Sequence, residues 1–207
     1  MQENNEFIKI NVVFDLPVKV AEQVAEMSAK IANQEDAYFV VDNSNFFAHI
    51  TIYGPEYPKH NENEVLEIVG NLVKDFLPIK LVPMGFQVEA GYLGVEFFYS
   101  DEISKIHTTI VEGLNVLRKD HLREKYANDK NIPPEKMQNI KKYGQANLLD
   151  LYKPYVTITR LKDFDRAEKI AGEMEIPFEE FIVDKICAYK MGEHGTCVEL
   201  MKEFSIN

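Results

Sequence analysis

The stretch Phe47-Ala48-His49-Ile50-Thr51-Ile52-Tyr53-Gly54 constrains the fold of this chain more than any other. Its residues favour extended backbone, and the Gly54-Pro55 pair stops the run. Side chains in a strand alternate between faces, so His49, Thr51 and Tyr53 share one side and Ala48, Ile50 and Ile52 the other. The apolar side needs a core beneath it. The polar side then carries an imidazole next to a hydroxyl. That pair suits a phosphate, because imidazole exchanges a proton near neutral pH and a hydroxyl can hold an oxygen.

The pattern half-repeats about a hundred residues later. Tyr152-Lys153-Pro154-Tyr155-Val156-Thr157-Ile158-Thr159-Arg160-Leu161 is also strand-like, with Tyr155, Thr157 and Thr159 on one face and Val156 and Ile158 on the other. Laid on the first stretch, Tyr155 falls on His49 and Thr157 on Thr51. Two His-x-Thr-x strands spaced in this way mark the two-histidine (2H) phosphoesterases, the family of 2′-5′ RNA ligases and cyclic phosphodiesterases, which this chain resembles over nearly its whole length. The first motif matches as His49-Ile50-Thr51-Ile52; in the second, Thr157 and its hydrophobic frame match, and Tyr155 stands where the family has its second histidine.

The resemblance implies two related lobes with mainly antiparallel sheets facing a central cleft and helices outside. It implies acid/base cleavage of a cyclic or 2′,5′ phosphodiester on a nucleotide or RNA end, with no cofactor and no metal. Carried over, His49 is the general base or acid, Thr51 and Thr157 bind phosphoryl oxygens, and Tyr155 takes the second proton-transfer position. A phenol with a pKa of about 10 is a hydrogen-bond donor and a poor base at neutral pH. The same cleft is therefore also consistent with a catalytically impaired module that binds a nucleotide or RNA end. Further substrate contacts are Tyr53, able to stack on a base, and Lys153 and Arg160, able to steer phosphate. Strict alternation puts Arg160 on the Val156/Ile158 face, so the strand end must twist to bring it to the cleft.

Two more His-x-Thr triplets occur, at His107 and His194. His107 lies in a helical pattern, where positions two apart do not share a face, and reads as a structural residue beside Ile103, Ile106 and Ile110. His194 lies in the turn Met191-Gly192-Glu193-His194-Gly195. A polar side chain there points to solvent by default; leaning inward, it would supply the missing imidazole.

Periodicity fills in the remainder. Strand patterns at 7–16, 37–41, 79–88, 91–99, 178–189 and 196–206 alternate with helical ones at 18–34, from 60 to Pro78, at about 100–119 and at 163–174. Such a mixture with short antiparallel connections is an α+β class in one domain over residues 1–207. Residues at about 122–148 are polar and poorly periodic and read as an inserted loop, in which Pro133-Pro134 opens a short helix ending at Gly144.

A net charge of −11 argues against wrapping a long duplex nucleic acid, although residues 118–142 are locally basic, with eight Lys/Arg against four Asp/Glu. No apolar run is long enough to span a membrane. Met1–Glu6 is polar and acidic, unlike a secretory signal, so a soluble cytoplasmic protein is expected. Cys187 and Cys197 are too few for a disulfide scaffold and lack metal-ligand spacing.

Overall fold

The apolar halves of the strand patterns find each other. In a computed structural model that describes residues 6–127, 129 and 131–206, β1 (Phe7–Asp15) leads into α1 (Val18–Ala32) and β2 (Ala37–Val40). The motif strand β3 (His49–Tyr53) and a short β4 (Glu56–Pro58) precede α2 (Glu62–Leu72). Next come β5 (Ile79–Leu81), β6 (Pro83–Glu89), β7 (Tyr92–Phe97) and α3 (Asp101–Asn115). The insert holds α4 (Glu124–Ala127) and α5 (Pro134–Tyr143); its positions 128 and 130, like the polar stretch before Glu6, lie outside the described residues. The second motif strand β8 (Tyr155–Leu161), α6 (Phe164–Glu173), β9 (Phe181–Val183), β10 (Lys185–Met191) and β11 (Cys197–Ser205) complete the chain.

The fold is α+β. One path of antiparallel strands runs β11-β10-β1-β3-β8-β7-β6, with β4 added to β1 and β2 to β8. A small separate sheet pairs β5 with β9, because the runs expected at 79–88 and 178–189 each break in two. The long path has two halves. Helices α2 and α3 back the half containing β1 and β3, and α1 and α6 back the half containing β6, β7 and β8. The halves join at one paired position, Ile50 opposite Val156. Both residues are fully buried, in a core that also takes Ile10, Val12 and Phe14 of β1, Leu93 and Val95 of β7 and Ile103 and Ile110 of α3. Burying each such aliphatic side chain contributes about 1.5–3 kcal/mol, so the helix-facing side of both halves fixes the register.

Both motif strands carry a bulge at the same relative place. Between β1 and β3 the register slips between Val13 opposite Thr51 and Val12 opposite Tyr53, making Ile52 the extra residue. Between β7 and β8 it slips between Gly94 opposite Thr157 and Leu93 opposite Thr159, making Ile158 the extra residue. A bulge shifts the alternation by one and re-aims everything beyond it. Tyr53 and Thr159 therefore turn into the protein and are fully buried, and Arg160 turns to the open face.

Past Ile50 the edge of β3 has no ladder partner on the β8 side, and side chains take its place. Tyr152 Oη donates to the Thr51 carbonyl at 2.8 Å. His107 Nδ1 donates to the Ile52 carbonyl at 3.0 Å, and its Nε2 accepts from the Leu149 amide at 2.9 Å. The two rings stack at 3.8 Å with 9° between planes. The end of β3 is held by the insert: Tyr53 Oη donates to the Tyr143 carbonyl at 2.7 Å, the Gly54 amide donates to Gln145 at 3.0 Å, and Arg123 donates to the Gly54 carbonyl. Fully buried Arg118 donates to the carbonyls of His121, Lys141 and Lys142 and so fastens both ends of the insert.

Burial holds the His107 pKa at about 4, below the usual 6.5. The unfolded chain therefore gains a proton as pH falls through 6.5 that the folded chain refuses until about 4, and stability is lost across that window. The loss assigned to this ring is on the order of 3 kcal/mol. Urea denaturation at a series of pH values should show it, and His107→Gln, which keeps a donor and an acceptor, should flatten the slope. An unchanged slope in the variant would contradict the assignment.

Candidate active site

Antiparallel pairing at Ile50 and Val156 aligns the neighbouring residues on the opposite, helix-free face. His49 is brought beside Thr157 and Thr51 beside Tyr155. His49 and Thr157 line one small cavity, together with Phe39, Phe46 and Phe47. The same cavity is lined by His194, Gly195 and Thr196 from the turn before β11.

His49 is half-buried, and its Nδ1 donates to the Phe47 carbonyl at 2.8 Å. A carbonyl can only accept, so this bond fixes the proton on Nδ1 and leaves a bare lone pair on Nε2. Burial pushes the ring's pKa below 6.5, the Phe47 bond opposing in part, and the ring is neutral at pH 7. Thr51 sits on the same face as His49 but outside the cavity lining. Its Oγ1 accepts from Asn11 Nδ2 at 2.9 Å, so the hydroxyl's own hydrogen is free. Asn11 is fully buried and also reaches Cys197 Sγ at 3.5 Å.

Tyr155 does not line the cavity. It is half-buried, and its phenol is pushed up to about 12, first by burial and then by Glu89 and Tyr92. It is protonated at neutral pH.

His194 is the residue that the turn reading left open. It is half-buried, with backbone φ 57, a left-handed conformation that costs a non-glycine residue about 1 kcal/mol. Its carbonyl accepts from Tyr92 Oη at 3.1 Å, and its ring lies 4.8 Å from the Tyr38 ring. Arg160 Nη1 donates to His194 Nδ1 at 3.0 Å. Guanidinium cannot accept, so Nδ1 is the bare nitrogen and the proton sits on Nε2. The two imidazoles of the cavity thus hold opposite tautomers.

Two expected contacts are corrected. Tyr53 is fully buried by the bulge at Ile52 and cannot stack on a base. Lys153 pairs with Glu96 at 3.2 Å, outside the cavity lining, because β8 begins only at Tyr155. Arg160 reaches His194 of the cavity lining, at 3.0 Å, through the bulge at Ile158 rather than through strand twist. Asn11 carries no motif, although a lone amide within Ile10-Asn11-Val12-Val13-Phe14 is the kind of buried polar residue that needs a partner. Among the described residues one group could hold a metal, Asp15, Cys187 and Glu203. Protein partners already serve it: Tyr189 lies 3.4 Å from Asp15, and Lys185 lies 3.1 Å from Glu203. No helix of the described residues is long and apolar enough to cross a membrane.

No family model and no curated protein matches the sequence. Solved structures do match in fold. TT0787 of Thermus thermophilus superposes with a TM-score of 0.58 over 96% of this chain and 98% of its own, at 14% identity. E. coli LigT complexed with phosphate gives a TM-score of 0.57 at 12% identity, over 98% and 99%. E. coli LigT complexed with 3′-AMP gives 0.58 at 13% identity, over 98% and 99%. At these identities the likeness is one of fold: the chain has a LigT-like fold.

Proposed function

We propose that this protein is a phosphoesterase that cleaves a cyclic or 2′,5′ phosphodiester on a nucleotide or RNA end by acid/base chemistry. One observation carries the reading: a neutral imidazole with a bare Nε2, His49, shares a cavity with the motif hydroxyl of Thr157. Water entering there loses its proton to Nε2 as its oxygen bonds to phosphorus and the bond from phosphorus to the ribose oxygen breaks, that oxygen taking a proton from solvent. Asn11 donates to Thr51 Oγ1, which leaves that hydroxyl's own hydrogen for a phosphoryl oxygen. The LigT structures complexed with phosphate and with 3′-AMP favour a phosphorylated nucleoside as the ligand.

A second reading is a binding module of the same fold. Tyr155 favours it, because a phenol held near 12 is no general base at the position where the family carries histidine.

Assay of 2′,3′-cyclic nucleotides, 2′,5′-linked oligoadenylate and RNA ending in a cyclic phosphate separates the two. Turnover is expected, and His49→Ala should lower kcat by about 10²–10⁴-fold. Because His49 must be unprotonated to act, kcat/KM should rise with pH through an ionisation below 6.5. Turnover indifferent to His49→Ala would contradict the assignment; binding of 3′-AMP without turnover would favour the second reading.

A further inference from the structure

We propose that His194 is the second imidazole of this site, acting as a neutral hydrogen-bond donor to the phosphate, and that Arg160 is the residue that positions it. The inference rests on the phosphoesterase reading above and names how that site manages without a histidine at position 155. Three independent observations converge on His194. It lines the cavity that holds His49 and Thr157. Its left-handed backbone, φ 57, is held in place by Tyr92 Oη on its carbonyl. Its Nδ1 is occupied by Arg160, which leaves Nε2–H as the hydrogen the ring can offer.

Arg160 is itself built in. Its Nε donates to the Ala90 carbonyl at 3.2 Å, and its guanidinium lies 4.6 Å from the Tyr92 ring centre and 4.9 Å from that of Tyr38. Cation–π contacts of this kind hold a guanidinium in place without consuming its hydrogen-bond donors. The groups facing His194 are therefore Arg160 from β8, Tyr38 from β2, Tyr92 from β7, His49 across the cavity and Glu193 beside it in the turn. While Arg160 occupies Nδ1, no second proton can bind there. His194 cannot be the imidazolium that donates a proton in ordinary two-histidine chemistry; it is a fixed donor, as neutral imidazoles are in other enzymes that polarise an oxygen.

The step balances as follows. The oxygen of water bonds to phosphorus, and the bond from phosphorus to the ribose oxygen breaks. The proton of water goes to His49 Nε2, solvent protonates the departing ribose oxygen, and His194 keeps its proton throughout while its Nε2–H carries charge building on the phosphoryl group.

The pH profile distinguishes this from a proton-donating second histidine. With 2′,3′-cyclic AMP the wild-type profile should rise once, through His49, and stay flat to about pH 9. His194→Asn is the informative variant, since asparagine tolerates left-handed backbone and still offers Arg160 an acceptor. It should lower kcat by about 10²–10³-fold, more than Tyr155→Phe does. Arg160→Met should add a descending limb, because Nδ1 can then take a proton. A bell-shaped wild-type profile, or a His194→Asn enzyme within threefold of wild type while His49→Ala is inactive, would overturn the proposal. Absence of wild-type turnover on every substrate would instead strike the phosphoesterase reading. In that case titration with inorganic phosphate and 3′-AMP, followed by imidazole NMR, still decides: His194 signals should move with those of His49, and unmoved His194 signals overturn the proposal.

Discussion

A single rung of backbone pairing, Ile50 against Val156, holds the two halves of this protein edge to edge. Everything on the open face follows from it. Two buried aliphatic residues on the helix side leave no choice of register, since a slip of one residue would expose Ile50 and Val156 and bury His49 and Thr157. The rung is also a stopping point. No further β3–β8 rung forms on either side of it: the cavity lies on the His49 and Thr157 side, the Tyr152 and His107 rings on the other. Carbonyls that a longer ladder would satisfy are taken up by Tyr152 and His107, a stacked pair whose work is to hold the motif strand where its partner leaves it.

The duplication is clearer in the backbone than in the side chains. The two motif strands share little beyond a threonine and its apolar frame, yet each bulges at the residue after that threonine, Ile52 in one and Ile158 in the other. The bulges have matching consequences. Each buries the next residue, Tyr53 or Thr159, and each aims the one after it back toward the open face: Gly54 in one half, Arg160 in the other. Gly54 brings no side chain, and Arg123 from the insert is bonded to its carbonyl instead. Each half thus ends with a guanidinium beside its bulged strand, one encoded in the strand and one delivered by the insert.

This explains what could be read from the sequence and what could not. The alternation of Ile50, Ile52, Val156 and Ile158 announced the strands, and helical spacing announced the helices, because both patterns report a single local periodicity. The meeting of His49 with Thr157 was legible through the repeat. Strict alternation places neither Tyr53 nor Arg160 correctly, for one reason: it assumes an unbroken ladder, and a bulge leaves no local mark when the extra residue is an ordinary isoleucine. His194 was ambiguous for a different reason. A turn residue's direction is set by its backbone angle and by groups from distant strands, here Tyr92 and Arg160, neither of which is near it in sequence. The insert shows only as a polar gap, since several of its anchors are backbone carbonyls, met by Arg118 and Tyr53 from outside it.

The account turns on two imidazoles presenting opposite faces to one cavity, a bare nitrogen on His49 and an N–H on His194. Long-range ¹⁵N–¹H correlation of the imidazole rings in the ligand-free protein at neutral pH reads both tautomers directly. The predicted result is protonated Nδ1 with bare Nε2 for His49, and the reverse for His194. Bare Nδ1 on His49, or a proton on Nδ1 of His194, would contradict it.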